Sequence, residues 1–515
     1  MDKSQERGEL LLNMKKNKWS LRENSSLCRY IPIISILGAF IAALFILFYP
    51  PMPGIADQGD FQRVMKATGL TDAKGQDSSH WFKYVVTEYK TLPTSSLRFL
   101  GIIPTTSMIY PITFGKLLCN IIGYNYFDTR ILAFIYLILH MTGLYICFSC
   151  IDFKNIAAAV FFSILSIIIL VDGNYIVWFN SLYGEPMMIV GFLLFISSIL
   201  YFSKHREDRS YKKLLFIFIS SILFLGSKAQ CFVELPLVVF IMLRIVKIDR
   251  KQIFSKTNIF LVITTLTLIF YVRGTYCKID SSCGVDTKFN SVFYGILKNS
   301  QSPKKDLTML GLSPDLSVEA GKHAYLPKSA YVKYVPWSDI TNREFNKKIS
   351  NVNIVKFYVF HPDRLLKGME YTASKSFHTE TSLGKYERSK VSKYNPEFNR
   401  FTFWSNFRNL KLPKTLSFIA VFYTLVFLVS FIEYIKNKKN EKITLQIEIL
   451  WMIMFVGIVQ FPMPYIGNGE ADTAKQLFLF NYTFDITFLV GCTWIFDKLI
   501  ATYYKYKRFY FELLS

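Results

Sequence analysis

The sequence predicts an all-α polytopic membrane protein with about ten transmembrane helices and a large mixed domain inserted between the seventh and the eighth. Three observations predict this fold class. Apolar runs without charged residues recur along the 515 residues, for example at 31–49, 156–171 and 416–432, and charged residues gather between them, above all in 275–414. Lys and Arg are also distributed unevenly among the short connections, as the orientation of membrane helices requires. A soluble enzyme is therefore excluded.

The expected spans follow from windows of about 18 to 20 residues. Seven basic residues between Lys3 and Arg29 precede the first span, and the connections 204–213, 247–256 and 436–442 are also basic. Because Lys and Arg are retained in the cytoplasm, we expect both termini to be cytoplasmic. Prolines rather than a small-residue cleavage site follow the first span, which we expect to remain as an anchor. The spans are expected near 30–49, 127–149, 156–171, 186–203, 213–227, 231–246, 258–273, 415–435, 445–461 and 476–497.

This orientation places most of the polar residues outside the cell. Residues 108–123 are apolar but interrupted by Pro111 and Gly115, so we expect a helix lying on the outer membrane surface; a re-entrant piece or an eleventh span remains open. The expected parts are a cytoplasmic basic N-terminus (1–29), a membrane domain (30–273) with acidic external loops 50–126 and 171–185, an external basic domain (274–414), C-terminal membrane helices (415–497) and a cytoplasmic tail (498–515).

The net charge of +23 comes from 60 Lys and Arg against 37 Asp and Glu. Nucleic acid is not expected as a partner, because neither zinc-finger spacing nor a separate basic domain is present. The external domain alone carries 23 basic and 12 acidic residues. This surplus suits lipid headgroups, a polyprenyl phosphate or an acidic wall polymer, and equally a solvated surface. A disulfide between Cys277 and Cys283 of this domain is chemically permitted, and its fold is left unassigned.

Nucleotide binding is disfavoured, since neither of the two Gly-rich phosphate-binding motifs occurs. The cytoplasmic connections are too short for a catalytic domain. An enzymatic reaction would therefore take place outside, with an activated group that arrives on a lipid.

Four residues inside the spans are given structural interpretations. Cys147 and Cys150 have C-x-x-C spacing, but they lie in an apolar span without a second pair, so we expect them to be packing residues. Arg130 and Asp485 are expected at similar depths. Since buried charges need partners, an ion pair between them is one interpretation.

The sharpest local signal is the segment Asp57-Gln58-Gly59-Asp60, just beyond the first span. Two carboxylates three residues apart share one face of a helix or turn. Such a pair can act as a general base with its partner, or bind a cation. In the alternative interpretation, Asp60 caps a helix over 61–67 and Asp57 is solvated.

Two further external segments carry acids before a span. Glu185 lies in the segment 180–186, where Glu before Pro also suits an ordinary helix start. Glu470, Asp472 and Lys475 lie in 467–476, which could form a sugar-binding turn or a cation site, or an ordinary turn with a helix cap. Carboxylates from these loops could meet around one substrate.

Cations near these acids could bind a lipid phosphate. Lys228 is the only charged residue in the tight connection 227–230, which ends at Gln230, although an interfacial Lys can also serve as a membrane anchor. Arg63 follows Asp60 by one turn and could pair with it or bind phosphate.

With these motifs, the chain resembles the GT-C superfamily of polytopic glycosyltransferases. The shared plan is a first span, an acidic external loop with surface helices and a second acidic external loop. More narrowly, the segments 57–61 (DQGDF), 183–186 (YGEP) and 469–472 (GEAD) look like motifs of a bacterial membrane family of surface-layer glycan-biosynthesis hexose transferases. One difference is that many GT-C enzymes carry their soluble domain after the last span.

The resemblance implies an inverting transfer of a hexose from a polyprenyl-phosphate donor to a hydroxyl of an external glycan or wall polymer, at the outer face of the cell membrane. We expect Asp57 or Asp60 as the base, with the other acid and Glu185 orienting the acceptor. A divalent cation is allowed but not required. The alternatives are a lipid-linked glycan flippase or transporter, a glycan polymerase and a non-catalytic scaffold. The expected phosphate ligands are Lys228 and Arg63, and the expected substrate-binding residues are Asn180, Tyr183, Gln230, Glu470, Asp472 and Lys475.

Overall fold

The computed structural model describes residues 30–73, 80–153, 155–207, 212–249, 254–273 and 284–514. These residues are mostly helical and include ten helices of 14 or more residues, and each predicted span coincides with one of them. The ten are α1 (Ile31–Phe48), α2 (Thr129–Cys150), α3 (Ile156–Leu170), α4 (Gly184–Lys204), α5 (Lys212–Leu225), α6 (Leu235–Asp249), α7 (Phe254–Arg273), α8 (Leu416–Lys436), α9 (Glu441–Gln460) and α10 (Phe478–Leu514).

Five described helical stretches are long and apolar enough to cross a membrane, namely α1, α2, α4, α8 and the stretch 441–468 that begins with α9. A sixth is α3 together with 173–179, which are bent by 48°. By contrast, α5 and α6 have 14 and 15 residues. At ~1.5 Å per residue they fall short of a hydrocarbon layer ~30 Å thick. The chain is a helical membrane protein, and ten spans with both termini inside remain a prediction.

Helix α4 lies at the centre of the membrane body, and nearly all of its residues are buried. It packs between α2 and α5. Glycines permit the close approach: a Cβ at Gly191 would lie 2.8 Å from the backbone nitrogen of Phe224, and one at Gly143 would lie 2.9 Å from Leu193 Cγ. A helix that is apolar on all sides must be surrounded by protein or lipid. The first turn of α4, which contains Glu185, is consequently enclosed.

The chain between α1 and α2 forms a small mixed unit. Its three strands form an antiparallel sheet in the order β1-β2-β3. The buried Lys116 lies on the helix Ile109–Ile121. It donates to Thr68 O (3.1 Å), Leu92 O (2.6 Å) and Thr94 Oγ1 (2.8 Å), and so joins this helix to the residues that flank the first two strands. That helix has 13 residues, ~20 Å, which is too short for the eleventh span. The elements are helix Phe61–Thr68, β1 (Leu70–Asp72), β2 (Glu88–Thr91), helix Ser96–Phe99, helix Ile109–Ile121 and β3 (Tyr126–Asp128).

Residues 284–414, the polar insert, have a core of their own, in which Phe289, Phe293, Phe345 and Tyr358 pack together. Cys277 and Cys283 lie outside the described residues, whereas Cys147 and Cys150 are buried free thiols, as packing requires. The α-helices of the insert are Val285–Phe289, Pro303–Met309, Asp339–Thr341, Asn351–Phe360, Pro362–Ser374 and Phe403–Lys411. Its 3₁₀ helices are Pro314–Glu319 and Lys328–Ala330, and its π-helices are Asn290–Ile296 and Asn342–Asn346. Short helices outside it are Gly173–Ile176, Val177–Phe179, Ala229–Glu234, Met463–Asn468 and Thr473–Gln476.

A buried ion pair joins the polar insert to α10. Arg408 is fully buried and donates to Asp485 and to Tyr175 Oη (2.6 Å). The expected pairing of Asp485 with Arg130 is therefore wrong. Arg130 instead donates to Asp128 (2.9 Å), the residue that caps the first turn of α2. Asp128, two residues away, already neutralises Arg130, so no ion pair with a distant helix is required.

Candidate active site

The loop that follows α1 turns sharply at Gly59, whose φ of +108° is rarely adopted by residues with a Cβ atom. The turn lets Asp57 Oδ1 accept from the backbone N–H groups of Gly59 (2.7 Å) and Phe61 (3.2 Å). Asp60, at the N-cap position of the next helix, makes no side-chain capping bond. The alternative interpretation, with Asp60 as the cap and Asp57 solvated, is therefore wrong: Asp57 is the acid that the backbone holds.

The polar insert supports this loop from the other side. The backbone N–H groups of Gly54 and Ala56 donate to Lys385 O (2.8 Å) and Gly384 O (2.9 Å). Gly384 fits tightly, because a Cβ there would lie 1.8 Å from Lys83 O. Sequence reasoning missed this segment, and its only signal was the single glycine. The position of Asp57 thus depends on chain more than 300 residues away.

The segment 180–183 holds the same loop through side-chain hydrogen bonds. Tyr183 Oη accepts from Gln58 N (3.0 Å) and donates to Ala56 O (3.0 Å). Asn180 is buried, with its Nδ2 donating to Pro53 O (2.7 Å) and its Oδ1 accepting from a threonine hydroxyl of α2 (2.7 Å). Both predicted residues therefore hold the loop that carries the two acids.

Asp60 is paired with two cations. Its Oδ2 lies 2.5 Å from Lys475 Nζ, and its Oδ1 is paired with Arg63. Lys475 is only 5% exposed, and its ammonium lies 5.0 Å from the ring centre of Tyr183. Burial opposes ionisation of Asp60, but the charges of Lys475, Arg63 and Lys228 outweigh it and hold its pKa well below the usual range. Asp60 is consequently ionised at neutral pH.

Asp57 has the opposite electrostatics. Burial raises its pKa to about 6, although the N–H groups of Gly59 and Phe61 act to lower it. Within the described residues its Oδ2 makes no hydrogen bond. Two acids three residues apart thus differ in kind: Asp60 is a fixed anion, and Asp57 exchanges a proton near neutral pH. Such a division separates a general base from its electrostatic partner.

A second ion pair lies beside the first. Glu185 is fully buried, with its Oε1 2.5 Å from Lys228 Nζ, while its buried Oε2 has no hydrogen-bond partner among the described residues. Lys228 is 15% exposed. The charge of Lys228 acts on Asp60, and that of Glu185 acts on Lys475. The two pairs therefore behave as one electrostatic group.

Gln230 belongs to a neighbouring patch of amides. Its Nε2 donates to Gln460 Oε1 (3.1 Å) and to Gln476 O (3.4 Å). Gln460 in turn donates to Glu234 Oε1 (2.8 Å) and is fully buried. Sequence reasoning missed Gln460, although a glutamine at the end of the apolar helix α9 was a usable signal. This patch connects the chain before α6 to the chain before α10.

The two acids of the turn 467–475 have different partners. Asp472 Oδ2 accepts from Gln58 Nε2 (3.1 Å) and lies 3.4 Å from Lys475 Nζ. Glu470 instead pairs with Lys298 of the polar insert. Asp472 therefore faces the other predicted acids, and Glu470 joins the turn to the insert.

Most of the predicted site residues thus come together from four distant segments. We call them the acid–cation cluster: Asp57, Asp60, Arg63, Tyr183, Glu185, Lys228, Asp472 and Lys475. Asn180, Gln230 and Glu470 lie beside it and make the protein contacts given above. In the part of the chain that the structure describes, no group of three or more His, Cys, Asp and Glu residues is arranged to hold a metal ion.

An apolar groove of about 560 Å³ has two lining residues that lie close in sequence to members of the cluster. Met187, two residues beyond Glu185, contributes to its wall, as does Leu223, five residues before Lys228. The remaining lining comes from helix 109–121, α2 and α5: Tyr110, Pro111, Phe114, Leu118, Phe134, Ile135, Ile138, Leu139, Ile219 and Ile222. Charged groups and an apolar groove of this kind together suit an amphiphile with an anionic head.

A family model described as the YfdI N-terminal transmembrane domain matches residues 14–509. The chain belongs to this family. The match contains all four segments of the acid–cation cluster, so the cluster lies within the domain that defines the YfdI family, and the transmembrane description agrees with the apolar helices. No curated protein and no solved structure matches the chain.

Proposed function

We propose that this YfdI-family protein is a membrane glycosyltransferase that moves a hexose from a polyprenyl-phosphate donor to a hydroxyl of a glycan or wall polymer outside the cell membrane. The observation that carries the proposal is the acid–cation cluster, in which Asp57 has a raised pKa and the neighbouring Asp60 is held ionised by three cations. The resemblance to GT-C glycosyltransferases points to the same chemistry.

The groove suits the isoprenoid chain of the donor. Its lining is apolar, and it opens between helices of the membrane body. Lys228 is partly exposed and follows Leu223 of the groove by five residues, so we assign its ammonium to the phosphate at the end of that chain. Arg63, which pairs with the Asp60 oxygen that Lys475 does not contact, offers a second charge. Exclusion of water from the bound state would strengthen such contacts.

Asp57 is the proposed general base. Its free Oδ2 can accept the proton of the attacking hydroxyl, and its pKa of about 6 leaves it mostly ionised at neutral pH. Asp60 is unsuited to this task, because a carboxylate held so far below the usual pKa range by its cations is a weak base. It keeps Lys475 and Arg63 in position instead.

In the proposed reaction, the acceptor oxygen attacks the anomeric carbon while the bond from that carbon to the phosphate oxygen breaks. The acceptor proton passes to Asp57. The products are a glycosylated acceptor with inverted anomeric configuration and a polyprenyl phosphate whose charge is balanced by Lys228 and Arg63. Asp57 returns its proton to water before the next cycle.

The test supplies the purified full-length protein in lipid nanodiscs with a radiolabelled polyprenyl-phosphate hexose and methyl β-glucopyranoside or methyl β-galactopyranoside as the acceptor, and it measures release of polyprenyl phosphate. We expect release by the wild-type protein, and its loss in the Asp57→Asn variant. Movement of intact donor across a vesicle membrane without release would instead identify a flippase. Release only from a pyrophosphate-linked oligosaccharide would identify a polymerase, and either result would overturn the proposal.

A further inference from the structure

Three aromatic side chains of the polar insert form a row, the aromatic strip: Tyr294, His323 and Tyr325. The ring centres of Tyr294 and His323 are 5.2 Å apart, and those of His323 and Tyr325 are 5.9 Å apart. Tyr325 is 54% exposed, whereas Tyr331 and Tyr358 of the same insert are buried in its core. The strip is therefore a surface feature, which packing of the core does not explain.

The strip is held against the turn 467–475, which also carries two members of the acid–cation cluster. Gly469 makes this approach possible, since a Cβ there would lie 2.7 Å from Gly295 N and 2.9 Å from the carbonyl carbon of Tyr294. Asn290 Nδ2 donates to Asn468 Oδ1 (2.8 Å) and locks the two segments together. No rearrangement of the insert is needed to bring the strip beside the cluster.

Tyr325, the outer end of the strip, interacts with charged side chains. The charges of Asp472 and Lys475 both act on the Tyr325 side chain. The Tyr325 hydroxyl donates to Asp286 Oδ2 (2.9 Å), which anchors the end of the side chain. Tyr325 is thus a half-exposed aromatic ring that is held through its hydroxyl by one carboxylate.

A ring of this kind, flanked by acceptors, suits a pyranose. The apolar C–H face of a sugar packs on an aromatic face, and its hydroxyl groups need hydrogen-bond acceptors around the rim. Asp286 supplies a carboxylate oxygen beside Tyr325. The turn that packs against Tyr294 carries Asp472, and the amide of Gln58 bonded to Asp472 adds a mixed donor and acceptor. A lipid chain is less suited to this position than a sugar, because charged side chains surround it. The apolar groove between the helices suits the lipid chain better.

We propose that the aromatic strip is the acceptor subsite, in which a pyranose ring of the acceptor glycan stacks on Tyr325 and directs a hydroxyl into the acid–cation cluster. This inference rests on the proposed function and deepens it. The donor would enter from the groove between the membrane helices, and the acceptor from the polar insert. The two substrates would then meet at Asp57 without sharing an entrance.

The test uses saturation-transfer NMR on the full-length protein in nanodiscs, with methyl β-glucopyranoside, methyl β-galactopyranoside and methyl N-acetyl-β-glucosaminide as probes. We expect saturation of the ring C–H protons of at least one probe. Tyr325→Ala should weaken the binding of that probe about five-fold, as loss of one aromatic contact implies. Tyr325→Phe and Tyr325→Trp, which keep the ring face, should stay within about two-fold of wild type.

Tyr504→Ala is the matched control, because Tyr504 is 57% exposed and lies on α10. No saturation of any probe, or equal binding by Tyr325→Ala and the control, would overturn the subsite. Release of polyprenyl phosphate by the wild-type protein is measured in parallel. Release without Tyr325-dependent binding would refute the subsite alone, whereas Tyr325-dependent binding without any donor release would refute the proposed function.

Discussion

Replacing Asp57 by Asn tests the assignment of the base most directly. The amide keeps an oxygen that can accept from the N–H groups of Gly59 and Phe61, so the loop should retain its shape. The variant loses only the ability to take a proton. General base catalysis contributes about 10²- to 10⁴-fold, and we expect the rate of polyprenyl phosphate release to fall by that factor.

The pH dependence gives a second, independent magnitude. The pKa of Asp57 is raised from 3.8 to about 6, so the carboxylate is protonated and inactive below that value and ionised above it. The ionised fraction is about one tenth at pH 5 and about nine tenths at pH 7, from the ordinary titration relation. The wild-type rate should therefore rise about ten-fold between these values, and fall as the pH drops through 6.

The assay is the initial rate of polyprenyl phosphate release, measured from pH 4.5 to 8 on wild type, Asp57→Asn and a control, Asp315→Asn, which alters an exposed acid of the polar insert. The control should retain both the wild-type release rate and the rise of that rate near pH 6. An Asp57→Asn variant that is folded and releases product at the wild-type rate would refute the reasoning. A wild-type release rate that does not rise between pH 5 and 7 would also refute it.

Three further outcomes follow from buried contacts. Lys228→Ala leaves the carboxylate of Glu185 buried without its partner, so we expect a loss of ~3–5 kcal/mol in the free energy of unfolding, partly recovered by adding Glu185→Gln and measured by denaturant titration in detergent. Asn180→Ala removes two buried side-chain hydrogen bonds, and the same titration should give a loss of ~1–3 kcal/mol; an unchanged midpoint would contradict the role of Asn180 in holding the loop. Gly384→Ala places a Cβ 1.8 Å from a backbone oxygen and should displace the Asp57 loop, lowering the release rate by about ten-fold or more, whereas Gly467→Ala, with nothing within 4 Å of its Cβ, should not.

The helices could be predicted from the sequence because their signal is local. Each predicted span coincides with a helix, since a run of apolar residues between turn residues suffices to define one. The acids Asp57, Asp60 and Glu185 were also recognisable, because each stands directly beside such a run. Membrane crossing is a different matter: α5 and α6 have apolar sequences but only 14 and 15 residues, and their depth depends on their neighbours.

The division of roles between Asp57 and Asp60 could not be predicted from their motif. The two acids are nearly equivalent in sequence. Their pKa values separate because Lys475, more than 400 residues away, is ion-paired with Asp60, whereas at Asp57 burial outweighs its charge. The support of the Asp57 loop by Gly384 and Lys385 was hidden for the same reason. Both contacts are made through backbone groups or single charges, which leave no periodic pattern in a sequence.

The sequence by itself determined that this is a helical membrane protein with acids concentrated at the ends of apolar runs, because burial in lipid selects composition over stretches of twenty residues. Only the tertiary structure decided that these acids converge with Lys475 and Lys228, that Asp485 pairs with Arg408 rather than Arg130, and that the turn at Gly469 packs against Tyr294 of the polar insert. Each of these pairings joins distant parts of the chain. Their strength depends on distance and on exclusion of water, and both arise only when the helices and the polar insert pack together.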